Sequence, residues 1–111
     1  MKADHYLQFY LGAETNQGIL VGINQQACFV RSLKGETIEY KFSVAEKELK
    51  LVLKKINDLT MEESAELNRR GLSIGRPNGY SFTPSAILYL LSIRVDIFNL
   101  IGKGLAIDAN G

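Results

Sequence analysis

The chain has 111 residues, 46% of them hydrophobic and 23% charged, with 13 lysines and arginines against 12 aspartates and glutamates. That length suits a single domain, 1–111, and a net charge of +1 argues against a nucleic-acid partner, which ordinarily demands a cationic excess. One cysteine, Cys28, and one histidine, His5, exclude an internal disulfide, a thiolate metal site and any site needing two imidazoles, so no cofactor or metal is expected.

The opening "MKADHYLQFYLGAE" lacks the apolar run and cleavage site of a secretory leader, and a cytoplasmic location is the expectation. Within it Leu7, Phe9 and Leu11 alternate with Tyr6, Gln8 and Tyr10, which predicts a half-buried strand over His5–Leu11. "GILVGIN" sets Ile19, Val21 and Ile23 on one face. "ACFVRSL" follows a polar turn at Asn24-Gln25-Gln26, and its apolar setting makes Cys28 a buried, inert thiol. Lys34-Gly35 turns the chain into "ETIEYKF", where Ile38, Tyr40 and Phe42 share a face. From Glu46 to Lys55 composition favours helix, yet Leu49, Leu51 and Leu53 alternate with lysines, and the alternation predicts a fifth strand.

Helical signals begin at Thr60. Thr60 and Glu63 form a capping box, Glu62 and Glu63 occupy the first turn, and Arg69 and Arg70 the last. Glu66 can pair with Arg70 at i,i+4, and Gly71 ends the helix. Thr83-Pro84 starts a second helix reaching Ile93 or Val95, and Asp96 caps a short third one, "IFNLIGK", closed by Gly104. The terminal "AIDANG" reads as frayed. The apolar window Ala86–Ile101 contains Arg94 and Asp96 and falls short of the ~20 residues of a membrane span. The predicted fold class is α+β: an N-terminal antiparallel sheet or partial barrel of about five strands (1–56), then three helices (57–111). Both later helices are apolar nearly all round, which predicts a homo-oligomer joined through them.

Catalytic patterns are scarce. No Gly-x-Ser-x-Gly elbow and no Walker loop occurs, and His5 beside Asp4 reads as solvent-facing. Asp58, Glu62, Glu63 and Glu66 serve capping and solvation of one helix, so a binding protein rather than an enzyme is expected. Useful groups converge only around "GLSIGRPNGYSFTPSA", Gly71–Ala86. Arg69, Arg70 and Arg76 supply planar guanidinium forks for phosphate or carboxylate, Asn78 lies in the turn, and Tyr80 can stack on a ring. Two readings stand for this stretch: a ligand-binding loop, or a hinge whose glycines and prolines only make turns.

"LKKINDLTMEESAEL" and "GRPNGYSFTPSAILYLLSIRVDIFNLIGKGLAID" resemble small proteins encoded by phages and prophages of gut bacteria. Those proteins pair a β-rich beginning, here "YLGAETNQGILVGI", with a "DLTxEE"-type helix. They close on a "DLFGLIxxGLAID"-like tail, matched by Asp96 to Asp108. The resemblance implies a phage accessory protein rather than a housekeeping enzyme. With the arginines, it sets the functional expectation: a counter-defence protein capturing a small anionic, nucleotide-like ligand, or an interaction module for a host protein or nucleic acid.

Overall fold

The structure, a computed structural model, describes residues 2–75 and 79–110, with only the backbone described for 72–75 and 79–82. Its first element corrects the strand expected over His5–Leu11. Ala3–Tyr6 form a short α-helix (α1), continued by a 3-10 turn over Leu7–Tyr10. Ala3, Tyr6, Leu7 and Tyr10 are buried, and their spacing of i, i+3, i+4 and i+7 is one face of a helix. Phe9 and Leu11, assigned to the core by alternation, are each 43% exposed. The two tyrosines, counted with the polar side, supply the bulk that the core takes up.

A meander follows: Glu14–Thr15 (β1), Gly18–Ile23 (β2), Ala27–Arg31 (β3) and Thr37–Lys41 (β4), each antiparallel to the last. Its turns are built locally. The Thr15 hydroxyl donates to the Gly18 carbonyl (2.8 Å) and accepts from the Gln17 amide (3.0 Å), while Asn24 Oδ1 accepts from the Gln26 and Ala27 amides, both at 2.8 Å. Gly18 sits at φ +139°, where a side chain would run into the Arg31 carbonyl of the neighbouring hairpin.

The predicted strand from Glu46 to Lys55 is corrected to two elements. Phe42–Glu48 are helical (α2), and only Leu51–Leu53 (β5) extend as a strand. Helix propensity wins over the first part, where Phe42, Ala45 and Leu49 present the helical spacing to the core. Alternation wins where a partner exists: Leu51 and Leu53 are buried and Val52 faces the other way. The end of the chain is likewise corrected from frayed to a strand. Ala106–Asp108 (β8) lie parallel to β5, with the Ala109 amide donating to Leu53 at 2.8 Å. The result is an α+β fold with an open six-stranded sheet of order β4-β3-β2-β1-β5-β8.

One face of that sheet, through Leu20, Cys28, Val30, Leu51 and Leu53, packs on Tyr6, Leu7, Tyr10, Ala45, Leu49 and Leu100. The helical half builds a second cluster. Met61–Arg69 (α3) and Pro84–Ser92 (α4) bury Leu67, Ala86 and Leu90 together with Val95. Tyr10 joins the two clusters: its hydroxyl donates to the Val95 carbonyl (2.8 Å) and accepts from the Ile97 amide (3.3 Å). Lys54 does the same by backbone, donating to Arg94 and accepting from Asp96, each at 2.9 Å.

The capping box is formed as expected, Thr60 Oγ1 accepting from Glu63 N (3.1 Å) and Glu63 Oε1 from Thr60 N (2.9 Å). Thr83 caps α4 by accepting from Ala86 N at 3.1 Å. The expected third helix is a series of turns. Asp96 does act as a cap, accepting from the Leu100 and Ile101 amides at 2.8 Å, but Asn99 adopts φ 56° and stops helical propagation. Between α3 and α4 the expected loop is a hairpin, Leu72–Gly75 (β6) against Gly79–Phe82 (β7). Among the described residues no helix is long and apolar enough to cross a membrane.

Candidate functional site

The sequence points to the base of the β6–β7 hairpin, where α3 ends and α4 begins. Residues three and four apart share a helix face, so Glu66, Arg69 and Arg70 meet on the last turn of α3. Arg70 Nε donates to Glu66 Oε1 at 2.7 Å, and the Arg69 guanidinium pairs with Glu66 Oε2. The Arg70 guanidinium carbon also lies 5.0 Å from the centroid of the Tyr89 ring, a cation–π contact that orients the planar fork. The Arg70 carbonyl accepts from the Thr83 hydroxyl, tying the end of α3 to the cap of α4. Gly71, at φ +102°, permits that approach, because a Cβ there would meet the Thr83 side chain.

Two guanidinium groups share one carboxylate, so the cluster keeps a surplus positive charge. The side chains differ in access: Arg69 is 77% exposed and Arg70 38%. Arg70 is held on two sides, and Arg69 projects outward. Of the other predicted site residues, Tyr80 lies in β7 opposite Ile74, with only its backbone described, and Arg76 and Asn78 lie outside the described residues. Tyr89 and the Thr83–Arg70 bond are contributors that the sequence did not reveal. Tyr89 was legible as an apolar helix residue, but nothing in its spacing announced an arginine above its ring.

The rest of the described chain holds few reactive groups. Burial pushes the Cys28 thiol up, as befits an inert core residue. Burial, with Glu46 and Cys28 adding to it, pushes Tyr6 up to about 12. Tyr10 is raised mainly by burial too. The Glu63 carboxyl is held below the usual carboxylate range by the Thr60 amide and by Lys54, whose Nζ reaches both its oxygens at 2.9 and 3.0 Å. These are structural bonds. Among the described residues no cluster of three metal-ligating side chains occurs. What the hairpin base offers is an oriented guanidinium beside an exposed one, two planar forks of donors of the kind that pair with phosphate or carboxylate.

No protein-family model matches the chain, and no curated protein or solved structure matches it either.

Proposed function

We propose that the protein is a non-enzymatic phage or prophage accessory protein, working in the host cytoplasm, that captures a small anionic, nucleotide-like ligand at the hairpin base. Capture of such a signal is how a counter-defence protein of this kind would act. The observation that carries the reading is the fixed Arg70 guanidinium, held by Glu66 and Tyr89 beside the exposed Arg69 where the hairpin leaves both helices. A guanidinium already oriented loses little freedom when it takes a phosphate, which is where affinity for a small anion comes from. The phage context is supported by the sequence resemblance.

A thermal-shift screen of nucleoside phosphates and cyclic dinucleotides tests the reading. At least one should raise the melting temperature, and the Arg69→Ala/Arg70→Ala variant should lose most of that rise. A flat screen, or an equal rise in the variant, overturns it.

A second reading, an interaction module for a host protein, rests on the edge strand β4. The Ser32–Glu36 and Gln26–Phe42 bonds fix the alternation of the β3–β4 ladder. By that alternation Ile38 and Tyr40 bond to β3, while the main-chain groups of Thr37, Glu39 and Lys41 point away from it. An extended partner segment could add there. In that case binding survives the arginine substitutions and is lost with Glu39→Pro, which removes an outward donor without touching the inner ladder.

A further inference from the structure

The face of the sheet opposite the core carries a pattern of its own. The strand registers align one residue from each strand in a single row: Thr37, Arg31, Ile19, Glu14, Val52 and Ile107. Side chains alternate along strands, and all six lie on the face away from Leu20, Val30 and Leu51. Ile19 is 39% exposed and Ile107 43%. Arg31 and Glu14 stand on either side of Ile19, each one strand away, about 4.8 Å in the row. Neither has an ion-pair partner among the described residues.

We infer that this face is a homodimer interface, on which a second copy of the chain packs sheet to sheet about a twofold axis running along β2 at Ile19. That axis turns the row end for end. Ile19 falls on Ile19 of the second copy, Arg31 on its Glu14, and Glu14 on its Arg31. The other axis in the plane, across the strands, would set arginine on arginine and glutamate on glutamate, which like-charge repulsion disfavours. The charge pattern therefore selects one orientation, and it keeps the strands of the two sheets roughly aligned, the usual arrangement about 10 Å apart.

An independent feature fits the same operation. Leu33, in the turn between β3 and β4, is 100% exposed, an unusual place for an aliphatic side chain. Leu33 itself lines a groove of ≈ 560 Å³ at that end of the sheet, together with Ile19 and Val52 and, on the β1 side, Asn16 and Gln17. The twofold operation exchanges the β3–β4 side of one copy for the β1–β5 side of the other, so each Leu33 arrives over the second copy's half of that groove. The dimer places its contacts on the sheet rather than on α4. There Tyr89 and Ile93 already pack on the second cluster and Leu91 on the main one, leaving Leu88 at 67% exposure.

The test is sedimentation equilibrium of the full chain and four variants, each first shown by circular dichroism to be folded. The wild-type protein should be a dimer. Glu14→Arg alone and Arg31→Glu alone should each weaken association at least about tenfold, because each sets like charges together twice per dimer. The double variant Glu14→Arg/Arg31→Glu should recover it, and Ile19→Arg should give monomers. The inference is overturned by a monomeric wild type up to about 100-fold above micromolar concentration. A dimer indifferent to Ile19→Arg, or a double reversal that fails to rescue, overturns it equally. None of these readouts involves the hairpin, so the dimer and the ligand reading stand or fall separately.

Discussion

Tyr6 and Tyr10 are chemically the same and sit four residues apart, yet their hydroxyls have opposite circumstances. Tyr10 satisfies two backbone groups, the buried Val95 carbonyl and the partly buried Ile97 amide. Removing a partner from such groups leaves their desolvation uncompensated. Tyr10→Phe is accordingly expected to lower the unfolding free energy by about 1–3 kcal/mol in urea titrations. The Tyr6 hydroxyl is buried with no hydrogen-bond partner among the described residues. Tyr6→Phe removes an unsatisfied polar atom and should leave stability unchanged or raise it. Equal losses in the two variants would contradict this account of both rings. These are also the residues that defeated the alternation pattern, because a tyrosine can present its ring to a core or its hydroxyl to water, and sequence spacing does not say which.

At the scale of elements, α3 was legible and the segment from Phe42 to Leu53 was not, for a physical reason. Everything that defines α3 lies within four residues: the Thr60–Glu63 box, the acidic first turn and the Glu66–Arg70 pair. The helix–strand switch after Glu48 depends instead on where β1 and β8 offer partners to Leu51–Leu53, which no local pattern contains. Glu63 also makes α3 sensitive to acid. The carboxyl of Glu63 titrates below its ordinary value of 4.5 because the Thr60 amide and Lys54 favour its charged form. Its contribution is therefore present above pH 4.5 and is lost as pH falls through the lower folded value. The stability of the wild-type protein should decline over that acid window, and the decline should be shallower in Glu63→Gln, which keeps a capping amide without the charge. Thr60→Ala should cost about 1 kcal/mol at neutral pH. Parallel acid profiles for wild type and Glu63→Gln would show that this carboxylate is not a source of the pH dependence.

Taken as a whole molecule, the chain separates its core from two surfaces. The class of fold, α+β, followed from the strand-like first half and helical second half. The closing strand did not, since β8 reaches back to β5 across the whole helical half. The candidate site was half legible: composition and spacing picked out Arg69, Arg70 and the Glu66–Arg70 pair, while the Tyr89 ring beside Arg70 and the bond from Thr83 to the Arg70 carbonyl are products of how α3 and α4 meet. The sheet face and the hairpin base belong to different elements with separate packing clusters. Substitutions there should act independently. Ile19→Arg should abolish association without changing nucleotide affinity, and Arg69→Ala/Arg70→Ala should do the reverse. A variant that loses both would mean that the two surfaces form one site.

Isothermal titration calorimetry of nucleoside phosphates and cyclic dinucleotides tests the functional account most directly. The expected result is saturable heat for at least one of them, with a dissociation constant well below about 1 mM, abolished by Arg69→Ala/Arg70→Ala. No heat from any of them at about 1 mM, or unchanged heat in the arginine variant, would contradict it.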